Sequence, residues 1–167
     1  FYNGPLAEKI VQLHIEKSGL ISATDLANYS GYWEAPLAGE FQNFEIQTNG
    51  TWTQGIVVPM VLQILDGIDL KSMGHNSEQY VHTVAQAIEL VMSDRETFIG
   101  DPNFIDIPLE QLLSKEYAAL RRELINKKAF DGMPNSGDPI KMQANGQTVN
   151  LNTQLASLYN KSIGKDT

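Results

Sequence analysis

The chain has 167 residues, 42% hydrophobic and 19% charged, which suits one soluble domain with a sizeable core. Its formal net charge of -8 argues against a nucleic-acid or anionic-membrane surface, because both need clustered Lys and Arg. The absence of cysteine removes disulfides, thiol nucleophiles and thiolate metal ligands.

Helical signals dominate in chain order. Pro5 sits at a first-turn position, and Leu6, Ile10, Leu13 and Ile15 follow a one-face spacing until Ser18-Gly19 stops the helix. In SATDLANY, Ser22 and Asp25 form the capping box of a short second helix. YWEAPLAGEFQNFEIQT carries an imperfect alternation around Ala38-Gly39, which predicts an antiparallel hairpin over about Tyr32 to Thr48 with a register irregularity. After NGTWTQG, the run Ile56 to Leu65 is apolar nearly all round. It predicts a central buried helix with Pro59 tolerated in the first turn, and it is too short to span a bilayer. Tyr80, Val84, Ala87, Ile88 and Val91 share one face of the longest predicted helix, over Asn76 to about Phe98, with Asn76 as its cap. Gly100 and Pro102 end it, and LSKEYAALRRELI predicts a further helix capped by Ser114. From Lys127 onward the chain is rich in Gly, Pro, Asn and Asp, which predicts an exposed connector with little regular structure. The fold class expected is mainly α with one β-hairpin.

Candidate groups for chemistry are few. His75 and Asn76 read as a helix-start loop with a capping Asn before they read as a catalytic pair. His14 and His82 lack an i+4 metal partner, and Asp94, Asp101, Asp106 and Glu110 lack the spacing of a calcium loop. No metal and no cofactor are expected. Asp94 and Arg95 occupy consecutive helical positions that do not face each other, so each is expected to pair with another element and hold the long helix to its neighbours. Leu6, Ile10, Ile56, Val57 and Leu65 together are expected to leave an apolar face exposed, with a homo-oligomer as one outcome.

Several blocks carry a resemblance. FYNGPLAEKI, GLISATDLANYSGYWEAPLAGEF, LDGIDLKSMGHNSEQY, AIELVMSDRETFIGDPNF and LLSKEYAALRRELI resemble the second half of the large subunit of γ-glutamyltranspeptidases. The block SDRETFIGDP is the most specific of them. NGTWTQG departs from the family pattern, placing Thr53, Gln54 and Gly55 where relatives carry a proline-rich run ending in Ser-Gly. That is similar to the divergent acylase-like and polyglutamate-cleaving branches, and it leaves the acyl donor open.

The resemblance implies an autoprocessing enzyme of the N-terminal-nucleophile (αββα) fold. This chain would be a helical layer flanking a core mostly absent from it. Residues 1–126 would be the helical large-subunit domain and residues 127–167 a flexible connector leading to the processing site. The chain begins at Phe1 without a Met and stops on GKDT, so a piece of a longer precursor is expected. Thr167 is then the expected nucleophile and autoprocessing site, with the residue after it as the alternative. The implied partners are the rest of the precursor and a small γ-glutamyl substrate such as glutathione, with no nucleic acid and no membrane. The chain alone is expected to be inactive. A cephalosporin-acylase-like amidase and a non-catalytic helical binding module are the alternatives, and periplasmic, secreted and cytoplasmic locations are all compatible.

Overall fold

A computed structural model describes residues 1–146 of the chain. The elements in order are α1 (Pro5–Glu16), α2 (Ala23–Asn28), β1 (Leu37–Phe41), β2 (Phe44–Thr48), α3 (Val57–Leu65), α4 (Leu70–Met73), α5 (Glu78–Phe98), α6 (Leu109–Leu112) and α7 (Lys115–Arg122). They divide into two compact units, Phe1–Glu34 and the chain from Ala35 onward.

The first unit holds α1 and α2. Pro5 opens α1, where its missing N–H costs nothing. Of the apolar residues on α1, Ala7 is buried while Leu6, Leu13 and Ile15 are exposed. The capping box of α2 is present: the Asp25 N–H donates to Ser22 Oγ at 3.2 Å and the Ser22 N–H donates to Asp25 Oδ2 at 2.8 Å. Two of the orphan N–H groups at this helix start are thereby satisfied.

In the second unit β1 and β2 pair antiparallel with an unbroken register from Leu37↔Thr48 to Phe41↔Phe44. The expected irregularity at Ala38-Gly39 is therefore absent, and the strand begins at Leu37 because Pro36 cannot donate to a ladder. Gly39 serves packing instead. A Cβ there would come within 2.5 Å of the Pro59 Cβ, so its lack of a side chain is what lets the hairpin lie on α3. At the turn, Gln42 has φ 52° and donates its N–H to Asp66 Oδ1 just beyond α3.

Helix α3 packs against β1, α5 and α7. Ile56, Met60, Ile64 and Leu65 form the core with Ala87, Leu90 and Val91 of α5, Leu112 of α6, and Tyr117 and Ala118 of α7. Each large side chain fully buried here contributes about 1.5–3 kcal/mol. Burial of Ile56 and Leu65 corrects the expectation that they belong to an exposed apolar face, whereas Leu6 is half exposed and Val58 of α3 is also open to solvent. The C-terminal carbonyls of α3 are satisfied from α7, with Arg122 Nε donating to Ile64 O at 2.6 Å and Arg122 Nη2 to Gln63 O at 2.9 Å.

Helix α5 has 21 residues, a rod of about 30 Å. Its cap is Ser77, whose Oγ accepts from the Tyr80 N–H at 3.1 Å. Asn76, the residue expected in that role, has φ 56° and makes the left-handed turn that delivers the chain to the cap. Ser114 caps α7 as expected, accepting from the Tyr117 N–H at 3.1 Å. Beyond α7, regular structure is sparse among the described residues, with one isolated bridge between Asp138 and Gln143. This stretch is nevertheless not simply exposed: Phe130 packs against the core, and Ser136, Gly137 and Pro139 are buried.

Candidate functional site

The most constrained chemistry in the described residues lies where α5, α7 and residues 135–146 meet. Arg121 and Asp94 are both buried, with side chains 0% and 1% exposed, and Arg121 Nε donates to Asp94 Oδ2 at 3.1 Å. A buried guanidinium is tolerable only if its remaining donors are also met. Here Nη2 donates to Leu90 O at 2.9 Å, Ser93 Oγ at 2.9 Å and Asn135 O at 3.1 Å, and Nη1 donates to Ala144 O at 2.5 Å. The second carboxylate oxygen of Asp94 accepts the Gly137 N–H at 2.8 Å. Residues 135–146 thus form a strap. One guanidinium holds it near both ends, the carboxylate holds it at Gly137, and the Gly146 N–H to Ser136 O bond of 2.6 Å closes its neck.

The electrostatics follow from burial. Desolvation pushes the Asp94 carboxyl above its ordinary range, while the Arg121 charge and the Gly137 N–H pull it down. Burial first, and then the nearby Asp94 charge, raise the Tyr117 phenol, which therefore stays protonated. The Tyr117 hydroxyl is buried without a hydrogen-bond partner of good geometry and sits against the strap. A Cβ on Gly137 would come within 2.2 Å of it. Only glycine lets the strap lie this close to α7.

Arg121 is fully committed to hydrogen bonds and both oxygens of Asp94 are occupied, so the cluster fixes structure and does not turn over a substrate. Asp94 does pair with another element, as its helical position predicts. Arg95 does not: it pairs with its neighbour Glu96. The acidic run is not assembled, since Asp101, Asp106 and Glu110 are exposed while Asp94 is buried. Among the described residues no cluster of three or more His, Asp or Glu side chains could hold a metal ion, and no helix is long and apolar enough to cross a membrane.

The histidines are dispersed. His14 Nδ1 accepts the Ile21 N–H at 3.4 Å, and the His75 ring lies 6.1 Å from that of Tyr80. His82 and Gln86 both reach Asn126 O, while the Asn126 N–H donates to Gln86 Oε1, so this group fastens the end of α7 to α5. His82 also lines an open cleft of about 600 Å³ with Met73, Ser77, Glu78, Gln79 and Lys127. In the departing loop, Thr53 Oγ1 donates to Gly50 O and accepts the Gly55 N–H, so this threonine closes a local turn. Thr167 lies outside the described residues. Arg121, Ser93, Tyr117 and Gly137 were not singled out from the sequence. Arg121 lies 27 positions from its carboxylate, and its neighbour Arg122 makes the pair look like an ordinary solvated face.

Fold and site together define a mainly helical scaffold with one hairpin, built on a buried ion pair that fastens a C-terminal strap. Residues 1–156 match the family described as Gamma-glutamyltranspeptidase, and the chain belongs to that family. It is 30% identical over 141 residues to the Glutathione hydrolase-like YwrD proenzyme of Bacillus subtilis (strain 168), an alignment covering 84% of this chain and 26% of the relative. The solved cephalosporin acylase from Bacillus halodurans superposes with a TM-score of 0.73 at 28% identity, over 83% of this chain and 25% of that one. Helicobacter pylori gamma-glutamyltranspeptidase gives 0.71 at 26% identity, over 80% of this chain and 38% of that one. The chain spans about a quarter of the length of the curated relatives it matches.

Proposed function

We propose that this chain is the helical layer and connector of a γ-glutamyltranspeptidase-type proenzyme that transfers or hydrolyses γ-glutamyl groups. The observation that carries the reading is the family match over residues 1–156, joined by relatives whose names describe glutathione hydrolase proenzymes. On this reading the layer flanks an N-terminal-nucleophile core supplied by the rest of the precursor. Residues from about 127 lead to the processing site.

Thr167 is the proposed nucleophile. Its hydroxyl oxygen attacks the Asp166 carbonyl carbon, the peptide C–N bond breaks, and the nitrogen keeps its hydrogen and takes the hydroxyl proton, leaving an ester and a free amine. Water then opens the ester to give a carboxyl terminus at Asp166 and a chain that begins with threonine. The freed α-amino group titrates near pH ~8 and serves as the general base that an internal threonine lacks. The mature hydroxyl oxygen then attacks the γ-glutamyl carbonyl carbon, the donor's amide C–N bond breaks, its amine leaves with the hydroxyl proton passed on by the α-amino group, and water or an amine releases the γ-glutamyl group from the resulting ester.

The test is to express the full-length precursor with Thr167→Ala. Loss of the two-subunit pattern on a gel, together with loss of turnover of a γ-glutamyl anilide, is expected. Normal cleavage and full activity would move the nucleophile to the following residue. The isolated 167-residue chain is expected to show no turnover.

A second reading has its own support in the cephalosporin acylase likeness and in the Thr53-Gln54-Gly55 departure. On it the acyl group is a cephalosporin side chain. Comparing γ-glutamyl anilide with a cephalosporin side-chain amide on the processed enzyme separates the two.

A further inference from the structure

The strap is held by more than the packing of a surface loop requires. Its carbonyls at Asn135 and Ala144 are gripped by one guanidinium, its Gly137 N–H by the carboxylate paired with that guanidinium, and its neck by the Gly146 to Ser136 bond. The two charged side chains are buried on α5 and α7, so the strap is fastened directly to the two helices that form much of the core. Gly146 is consequently held at a fixed place.

We infer that Asp94, Arg121 and Gly137 are positioning residues for chain cleavage, holding the point from which the polypeptide runs to Thr167. This rests on the reading of Thr167 as the autoprocessing residue. The magnitude follows from the anchors. With the strap released, the nearest side chain upstream that packs against the core is Phe130. Release therefore lengthens the run of chain to Thr167 from 21 to 37 residues, and the local concentration of a tethered end falls with about the 3/2 power of tether length, a drop of about twofold.

The strap can be displaced without touching a charge. Gly137→Ala places a methyl group 2.2 Å from the Tyr117 hydroxyl oxygen and 2.9 Å from both Tyr117 Cζ and the Gln143 carbonyl oxygen, and Tyr117→Phe removes the first of these conflicts. The hydroxyl makes no hydrogen bond of good geometry but lies close enough to Asp94 to feel its charge, so Tyr117→Phe alone is the reference against which the double variant is read.

The experiment follows cleavage of the full-length precursor by gel, with amide exchange at Gly137 and Gly146 as a separate readout of strap displacement. Gly137→Ala is expected to slow cleavage of folded precursor about twofold, and Gly137→Ala/Tyr117→Phe, which keeps the methyl 2.9 Å from Tyr117 Cζ and Gln143 O, to recover part of the loss. A purely structural role would lower the yield of folded precursor and leave its cleavage rate unchanged. Should the Gly137→Ala strap stay protected, Arg121→Gln, which removes the grip on Ala144, takes its place in the same comparison. Parental cleavage rate in a precursor whose strap amides exchange freely overturns the proposal. Thr167→Ala on the same gel keeps the two ideas apart. If it still yields two subunits, the threonine assignment fails, while the dependence of cleavage on the strap is decided by the other lanes.

Discussion

Replacing Asp94 by Asn tests the buried pair most directly, because it removes one charge and almost no volume. One of the two oxygens becomes an NH2 group. Either the Gly137 N–H or the Arg121 Nε–H then faces a donor where it had an acceptor at 2.8 or 3.1 Å. Arg121 stays charged and buried. Removing one partner of a buried ion pair costs about 3–5 kcal/mol. Leu90 O, Ser93 Oγ, Asn135 O and Ala144 O still solvate the guanidinium, which sets the expected loss at the low end, about 3 kcal/mol. Native-state amide exchange reads this locally: opening of the Gly137 amide should become about 150-fold more frequent, since each 1.36 kcal/mol is a factor of ten. The same substitution on an Arg121→Met background should cost clearly less, because the stranded cation is gone. A change below about 0.5 kcal/mol in the single variant, or additivity in the double, would refute the account of the pair as mutually compensating.

Three further outcomes follow from single contacts. Gly39→Ala drives a methyl group into Pro59, 2.5 Å from its Cβ, and should destabilise the hairpin against α3 by about 1–3 kcal/mol; thermal unfolding at wild-type values would show that the hairpin shifts freely. Ser114→Ala removes the acceptor of the Tyr117 N–H and should cost about 1 kcal/mol by urea denaturation, with Ser114→Asp retaining most of it. Asp25 is held below its ordinary value of 3.8 by the Ser22 hydroxyl and then the Ser22 N–H. Its folded pKa is depressed, so the stabilisation is present above the unfolded value and is lost as pH falls through the folded one. Exchange of the Ser22 amide should accelerate below pH 3.8, and protection that persists at pH ~2 would contradict the capping account.

What the sequence disclosed was what neighbouring residues decide. Ser22 with Asp25 and Ser114 with Tyr117 are three positions apart, so their caps could be read directly. The face of α5 was legible in part: Ala87 and Val91 are buried as expected, whereas Ile88 is exposed and Thr83, Gln86 and Leu90 share the buried side. Asn76 and Ser77 are both good capping types, and only the left-handed backbone at Asn76 assigns the role to Ser77. The hairpin appeared, but its bounds and the unbroken register did not, because the role of Gly39 depends on Pro59, which lies in another element. Four-residue helices such as α4 and α6 show no periodicity to detect. The grip on the strap was the least legible feature. It joins Asp94, Arg121, Asn135 and Ala144 across three separate stretches of chain, and a Gly-, Pro- and Asn-rich composition gives no sign that a segment will be buried by its backbone.

Arg121 and Arg122 follow one another on α7, and consecutive helical side chains diverge by about 100°. The first is spent on α5 and the strap, the second on the last carbonyls of α3. Two adjacent residues thus act as a torsional key: α7 cannot roll about its axis, or slip by one residue, without withdrawing both teeth at once. Three helices that share a greasy and therefore slippery interface are locked into one phase, and the hydrophobic core alone does not need to choose it.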